Sequence, residues 1–288
     1  MSGMCGGSMI DPMNGKSQKA LIHQHTVGRQ VLLKKLKLDQ QSQSGQADYD
    51  EKNVKLFVCG QSMFKMHPLF FDRVVHEILQ RDNYSHVILL GGEYRDWDEL
   101  MANRLRRLFQ QPNSQKNNNS INNHSDLPKL SQLKDNNGKI ASRVHILPRR
   151  KRMHYLKLLA SANVALDTYP FGGGVTTLET LSVGTPLVTL PDSKFLRGRF
   201  SFHYLHNILG IKEFIVDRET NNINDLLINI QLYVDTLYEI DAKRHSFRKK
   251  ILRNKYKLFH EKWLEKNEDN WFDFFDWQAT NVLKLWRK

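Results

Sequence analysis

Residues 166–191 constrain the fold of this chain more than any other stretch. They read LDTYPFGGGVTTLETLSVGTPLVTLP. An apolar strand ends at the first residue, three glycines follow, and helical spacing runs over 175–183. A Gly-Thr-Pro sequence then stops the helix before a second apolar strand. Strand, loop, helix and strand in this order are typical of half of a doubly wound α/β unit.

The glycine loop favours a bound anion for a physical reason. Glycines can adopt positive φ and let another molecule approach the main chain closely, as is expected of Gly172, Gly173 and Gly174. A loop of this kind that enters a helix directs free N–H groups and the positive helix end at one point, which suits a phosphate or diphosphate.

The first turn of the predicted helix adds side chains to this point. It begins with Val175, Thr176 and Thr177, so two hydroxyl donors lie at the helix start. Glu179, one turn further on, is placed to accept hydrogen bonds from ribose hydroxyls. A structural explanation stays open, because Thr176-x-x-Glu179 also matches a capping box. Both can hold at once, and the local pattern alone does not decide between an anion site and a structural glycine turn.

The remaining strands and helices indicate an α/β fold with a parallel sheet. Apolar strands are predicted at 54–59, 86–90 and 143–147, and a last short one at 213–216. Helices are predicted at 68–80, 96–109, 153–162, 201–209 and 226–240. Residues 1–53 read as a disordered leader with a solvated basic helix near 31–38, and 110–138 as a disordered Asn-rich insertion. The domain is expected to span 54–240, with basic and aromatic helices over 241–288.

The glycine stretch, with Phe195-Leu-Arg-Gly-Arg199 after it, resembles the C-terminal catalytic half of the protein O-linked N-acetylglucosamine transferase family, including its bacterial and SPINDLY-like members. The resemblance runs from about residue 54 to about residue 216. It implies the C-terminal half of a GT-B glycosyltransferase, a Rossmann-like parallel sheet with helices on both faces. It also implies transfer of N-acetylglucosamine from UDP-N-acetylglucosamine (UDP-GlcNAc) to Ser or Thr hydroxyls of proteins, with no cofactor and no metal expected.

The same resemblance implies roles for three basic residues. Lys65, in the run Gln61-Ser-Met-Phe-Lys65, matches a lysine that contacts the nucleotide diphosphate and neutralises the leaving group. Arg150 belongs to a basic run at 149–152 that is expected near the phosphates, and Arg199 to a basic pair expected to line the cleft. The alternatives are a solvent-exposed lysine, a solvated basic turn, and salt bridges to nearby carboxylates.

The chain also departs from the family. Relatives carry another Rossmann-like domain before the strand at 54, usually preceded by tetratricopeptide helices, and residues 1–53 are too few for either. We therefore expect an acceptor protein and a missing N-terminal GT-B domain or tetratricopeptide-bearing partner, and the sequence names no general base. Animal members have a histidine before the paired threonines, where this chain has Gly174 or Val175.

Charge and cysteine content narrow the class of partner. The net charge of +13 and pI near 9.6 favour nucleotide diphosphates, nucleic acid or anionic membrane surfaces. No RNP, KH or zinc-finger pattern supports nucleic acid.

Two distant cysteines give no disulfide framework or zinc site. Without a long apolar run or a secretory signal, a soluble cytoplasmic or nuclear protein is expected.

Three other functions stay open on the sequence alone. A related transferase could use another donor, such as GDP-fucose or UDP-glucose, since the loop specifies diphosphate and ribose better than base or sugar. The chain could be a noncatalytic nucleotide-binding or scaffolding fragment. A basic nucleic-acid-binding protein has only the net charge in its favour.

Overall fold

The computed structural model describes residues 29–34, 36, 53–110, 141–192, 195–217 and 226–259. Within them, one sheet of five strands is entirely parallel. Its strands are Lys55–Cys59 (β1), Ser85–Leu90 (β2), Val144–Leu147 (β3), Val164–Leu166 (β4) and Leu187–Val188 (β5). They lie in the order β3-β2-β1-β4-β5.

Helices connect the strands, and further helices come after the last strand in the chain. They are Arg73–Arg81 (α1), Arg95–Gln110 (α2), Arg152–Ser161 (α3), Val175–Ser182 (α4), Phe200–Phe202 (α5), Leu226–Ala242 (α6) and Arg244–Asn254 (α7). A π-helical turn, Pro68–Asp72, leads into α1. A second π-helical segment, His203–Leu209, extends α5 and ends at Gly210, whose φ of 65° is the left-handed conformation that glycine favours.

Hydrophobic residues pack on both faces of the sheet, which explains why the strands are mainly apolar rather than alternating. Phe57 and Cys59 of β1 belong to one hydrophobic cluster, which also contains residues of α1 and α6. Leu56 and Val58, on the other face, pack in a second cluster with residues of α3 and with Leu33. The predicted α/β fold with helices on both faces is confirmed.

Most predicted elements are confirmed with small shifts in their bounds, but the last predicted strand is wrong. Residues 213–216 supply a single parallel bridge, between Thr189 and Ile215. The Ile215 N–H donates to the carbonyl of Lys212, which closes a turn there and leaves too little extended backbone for a ladder.

Part of the predicted leader packs against the sheet. Residues 29–34 are helical, and Leu33 is only 1% exposed. Arg29 donates to Asn163 Oδ1 at 2.6 Å and to the Ser161 carbonyl at 3.2 Å, at the amino edge of the sheet. The solvated helix that we expected is therefore wrong for these residues. Leader residues 1–28, 35 and 37–52 lie outside the described residues, as do the predicted insertion beyond residue 110 and the aromatic tail from residue 260. No helix in the described ranges has the length and apolar character needed to cross a membrane.

Candidate functional site

The candidate site lies where the strand order reverses. β1 and β4 are neighbours in the sheet, although β1 continues to β2 on one side and β4 to β5 on the other. The loops that follow the two strands therefore diverge at the carboxyl edge and leave a crevice, the usual ligand position in open α/β sheets. Lys65 follows β1 and the glycine loop follows β4, so this topology brings them together.

Lys65 contacts the glycine loop directly. Its Nζ donates to the Gly172 carbonyl at 3.2 Å and to Gln61 Oε1 at 3.3 Å, and lies 4.1 Å from the centre of the Phe171 ring. Burial lowers the pKa of Lys65, while the charge of Asp167 opposes that shift. Within the described residues no carboxylate forms an ion pair with Lys65, so its ammonium group donates its hydrogen bonds to neutral acceptors. An anionic ligand would be a stronger partner.

A buried carboxylate fixes the glycine loop from behind. Asp167 Oδ1 accepts from the N–H of Gly173 at 2.8 Å and of Thr168 at 3.0 Å. Its Oδ2 accepts from the Thr189 hydroxyl at 2.8 Å. Burial raises the pKa of Asp167, and these donors oppose the rise. The N–H of Gly173 is thus bound inside the protein, and the expectation that it is free for a phosphate is wrong.

Gly173 needs to be glycine for space rather than for positive φ. Among the described glycines, positive φ occurs at Gly184 and Gly210, so the positive φ expected in the loop is wrong. A Cβ at Gly173 would overlap the Gln61 amide and the Thr177 hydroxyl, because the chain is packed tightly there. A Cβ at Gly174 would meet nothing within 4 Å.

The start of α4 presents unbonded donors. Gly174 is the N-cap, and its carbonyl accepts from the N–H of Thr177 at 3.1 Å and of Leu178 at 3.2 Å. The preceding N–H groups, of Val175 and Thr176, have no acceptor among the described residues. The predicted capping box is not formed, because a glycine and not a threonine occupies the N-cap and no side chain caps the helix.

The two threonines differ in direction. Thr177 is fully buried, and its hydroxyl lies 2.8 Å from the Ser201 hydroxyl, so it braces the loop. The Thr176 hydroxyl is buried without a hydrogen-bond partner in the described part of the chain. Buried polar atoms without partners are rare in proteins, and they are found where a ligand or water completes the bonding.

Glu179 on α4 and Tyr155 on α3 add two more polar side chains near the crevice. Glu179 Oε1 is 3.3 Å from Arg152 Nε, and burial raises the Glu179 pKa while Arg152 opposes the rise. The Tyr155 hydroxyl is a second buried donor that has no partner among the described residues. It lies against Gly60, where a Cβ would come within 2.7 Å of it.

Among the basic residues named from sequence, Lys65 contacts the loop through its side chain and Arg197 through its main chain, whose carbonyl accepts from the Gly172 N–H at 3.1 Å. Arg150 is exposed, and no contact between it and the glycine loop is seen among the described residues. Arg199 donates to the Asp192 carbonyl at 3.0 Å and stacks over Phe202, so it holds its own loop rather than a carboxylate. Its neighbour Arg197 lies over Phe171 instead.

A groove of about 410 Å³ opens beside Lys65. Three rings line it in edge contacts, with Phe64 5.4 Å from Trp97 and 6.2 Å from Phe171 between ring centres. Arg197 also lines the groove, which carries no acidic side chain among the described residues. An apolar groove with a few cations at its rim suits a ligand with an apolar face and negative charge.

Asp167 and Tyr155 were not predicted from the sequence, and Gln61 was given no role. Two of them carried a usable signal, since Gln61 and Asp167 are polar residues within two positions of the ends of β1 and β4, at the edge where ligands bind in open α/β sheets. Tyr155 gave no signal, because a tyrosine on a helix is usually a packing residue.

Comparison with known proteins yields solved structures of low similarity. No protein-family model matches the chain. No curated protein matches it either. A mutant O-GlcNAc transferase from Thermobaculum terrenum aligns with 77% of this chain at 18% identity and a TM-score of 0.48. An Escherichia coli structure described as trehalose-6-phosphate bound with UDP-2-fluoro glucose aligns with 86% at 13% identity and a TM-score of 0.48.

A third structure is the C-terminal CMP-Kdo binding domain of WaaA from Acinetobacter baumannii. It aligns with 80% of this chain at 13% identity and a TM-score of 0.39, over 98% of its own length. The chain spans only 36% and 49% of the first two proteins. Likeness at this level identifies neither the site nor the reaction, which depend on the residues themselves.

Proposed function

We propose that this chain is the nucleotide-sugar-binding part of a glycosyltransferase that moves N-acetylglucosamine from UDP-GlcNAc to Ser or Thr hydroxyls of proteins. One observation carries the proposal. Lys65, which follows β1, and the glycine loop and α4 start, which follow β4, meet at the point where the strand order reverses. The motif resemblance of residues 166–191 supplies the reaction class.

The diphosphate would lie between Lys65 and the start of α4. The N–H groups of Val175 and Thr176, the Thr176 hydroxyl and the positive helix end all suit anionic oxygens. Transfer of the sugar leaves negative charge on the diphosphate, and donors already fixed around it stabilise that charge without rearrangement. Lys65 would supply the full positive charge. No residue of the described ranges is assigned as the base that deprotonates the acceptor.

The ribose would lie against Glu179. Its carboxylate has one oxygen within 3.3 Å of Arg152, so it has further lone pairs for ribose hydroxyls. The Tyr155 hydroxyl is a second partner for the nucleoside. Arg150 and Arg199 remain predicted outer cations of the site. The sugar and the acceptor would use the groove beside Lys65, where Phe64, Trp97 and Phe171 offer apolar faces.

Calorimetric titration of the whole chain tests the proposal. We expect UDP and UDP-GlcNAc to bind with comparable affinity and GDP more weakly. Tighter binding of GDP or GDP-fucose than of UDP would reject the UDP assignment but would still support a nucleotide site in the crevice. Absence of binding for every nucleoside diphosphate would reject the site itself. A transfer assay with an N-terminal GT-B domain or a tetratricopeptide-bearing partner supplied separately would then distinguish a catalytic half from a noncatalytic nucleotide-binding fragment.

A further inference from the structure

We propose that the exposed face of α7 binds single-stranded nucleic acid. The observation is a row of cations, unpartnered among the described residues, that ends in an exposed aromatic ring. This surface is not part of the nucleotide-sugar site, and the proposal does not depend on that function. No sequence motif of a nucleic-acid-binding module points to it.

The segment that contains α7 is rich in basic residues and has no acidic residue to offset their charge. Residues 243–259 read KRHSFRKKILRNKYKLF and include eight Lys or Arg residues and no Asp or Glu. A segment of this composition on a stable helix either serves packing or presents positive charge to solvent. The contacts of the eight cations separate the two uses.

Four of the eight cations have structural partners. Arg248 donates to the carbonyls of Ala160 and Ala162 at 3.2 and 2.9 Å, and Lys255 to that of Ser182 at 3.1 Å. These carbonyls lie at or just beyond the ends of α3 and α4, where a cation offsets the negative helix end. The other two form ion pairs, Arg244 with Asp241 at 3.1 Å and Lys250 with Glu213 at 2.9 Å.

The other four cations have no partner among the described residues. Two of them, Lys249 and Arg253, are exposed and lie one turn apart. His245 lies four residues before Lys249 in α7, and Tyr256 lies three residues after Arg253 in a short 3-10 helix, Lys255–Leu258, that continues α7. Both are exposed, so the four side chains follow one another at helical spacing on the exposed side of this segment. We call His245, Lys249, Arg253 and Tyr256 the α7 stripe. Lys243 and Lys257, which are also unpartnered in the described ranges, flank it.

The composition of the stripe selects the ligand. Ile251 and Leu252 of α7 are buried in the core, so the exposed face offers no aliphatic side chain for insertion into a membrane. Its one apolar group is the Tyr256 ring, 59% exposed and adjacent in sequence to Lys255 and Lys257. An aromatic ring among cations matches the combination that binds unpaired bases and the phosphates between them.

The α7 stripe is also remote from the carboxyl edge of the sheet. Arg248 and Lys255, on the buried side of the same segment, bind carbonyls at the carboxyl ends of α3 and α4. The α4 start, where the diphosphate would lie, is the opposite end of that helix. Nucleic acid on the stripe and nucleotide in the crevice can therefore be bound together.

Fluorescence anisotropy of the full chain with labelled oligouridine and oligothymidine of about fifteen nucleotides tests the proposal. The stripe variant carries Lys249→Glu with Arg253→Glu. The matched control carries Arg73→Glu with Arg95→Glu, which changes the net charge equally at two exposed positions elsewhere. Tyr256→Ala is made separately, and circular dichroism checks that each variant is folded.

We expect the wild type to bind at about 100 mM salt and the stripe variant to lose about tenfold or more in affinity. The slope of log affinity against log salt should fall in magnitude by about 1.4, or about 0.7 for each lost contact. Tyr256→Ala should weaken binding about fivefold with an unchanged slope, because it removes stacking and no charge. Preference for oligouridine or oligothymidine identifies RNA or DNA as the ligand.

Four results would overturn the proposal. The first is that the wild type binds neither oligonucleotide, and the second is that the stripe and control variants lose equal affinity. The third is that Tyr256→Ala loses no affinity. The fourth is that the wild type binds phosphatidylserine-containing vesicles more tightly than either oligonucleotide. The second would mean that only net charge matters, and the last that the partner is a membrane surface. If the stripe variant alone misfolds, the wild type and Tyr256→Ala still test the proposal, because both keep the stripe cations in place.

Discussion

The Nζ of Lys65 lies 3.2 Å from the carbonyl oxygen of Gly172, so the cation that follows β1 is held by the loop that follows β4. A peptide carbonyl is a weaker partner for an ammonium group than a diphosphate is. The contact therefore keeps Lys65 in position without neutralising it. Binding of an anion would exchange a neutral acceptor for a charged one.

Lys65→Met should weaken UDP binding while the fold is kept. The substitution preserves a long apolar side chain against Phe171 but removes one charge-assisted contact, which is worth about 1.5–3 kcal/mol. Titration calorimetry of both proteins measures the difference. Equal UDP affinities would show that Lys65 does not touch the nucleotide.

UDP affinity should fall in alkaline solution because of Lys65. Burial lowers the Lys65 pKa in the free protein, and a bound diphosphate favours the charged form. Affinity is therefore at its full value below the pKa of the free protein and declines as pH rises through it. Lys65→Arg should retain its affinity at high pH, because arginine stays charged. The same decline in the arginine variant would assign the pH dependence to another group.

Thr176→Val and Tyr155→Phe should each leave the free protein as stable as before or more so. Both remove a buried hydroxyl that has no partner in the described residues, at a gain of up to about 1 kcal/mol. If these hydroxyls bind the nucleotide, UDP affinity should fall in the same variants. Melting temperature with and without UDP checks both effects. A large loss of stability without UDP would mean that the hydroxyls serve the fold.

Glu179→Gln should weaken UDP binding by about 1–2 kcal/mol with the fold kept. The amide offers one oxygen in place of two, and it is neutral. Since the capping box is not formed, loss of a cap cannot explain any drop in affinity. Arg152→Gln is the control, because it removes the ion pair at 3.3 Å and leaves the carboxylate intact. UDP affinity unchanged in Glu179→Gln would remove the ribose assignment.

Asp167→Asn should be tolerated, whereas Asp167→Ala should cost about 2–4 kcal/mol. The asparagine oxygen can still accept from Gly173 and Thr168, and its NH₂ can donate to the Thr189 hydroxyl, which is free to reverse its role. Alanine leaves two buried N–H groups unbonded.

Acid unfolding of these variants adds a sign test. Burial raises the Asp167 pKa in the folded state, so its ionised form costs stability at neutral pH. As pH falls through that folded pKa, the wild type should gain stability relative to Asp167→Asn, until the pKa of the unfolded chain is passed. If the wild type instead loses stability relative to Asp167→Asn over this pH range, the ionised carboxylate stabilises the folded state.

The strands and the position of the candidate site were predictable because their signals are local. Runs such as 54–59 are apolar and β-branched, and a glycine loop between a strand and a helix is recognisable wherever it occurs. The contact of Lys65 with this loop followed from topology, since parallel strands present their carboxyl ends at one edge.

The details of the loop were not predictable, because they depend on residues distant in sequence. Gly173 needs to lack a Cβ because Gln61 packs on it, and its N–H is occupied because Asp167 turns inward. Leu33 is buried because the far face of the sheet offers it a partner, whereas its own segment reads as a charged helix. The polarity of a stretch does not reveal which neighbour will cover it.

The junction of β1 with β4 also has a consequence for how the domain is assembled. Lys65 and Gly172 are 107 residues apart, so the crevice cannot exist until pairing at this separation is complete. Contacts between β1 and β2 can form early because they close a shorter loop, and long-range pairings form late. We therefore expect the crevice between β1 and β4 to be among the last parts to be completed as the chain folds. A ligand that binds there acts on the whole cooperative unit, and its protection should extend to amides of β2 that it never touches.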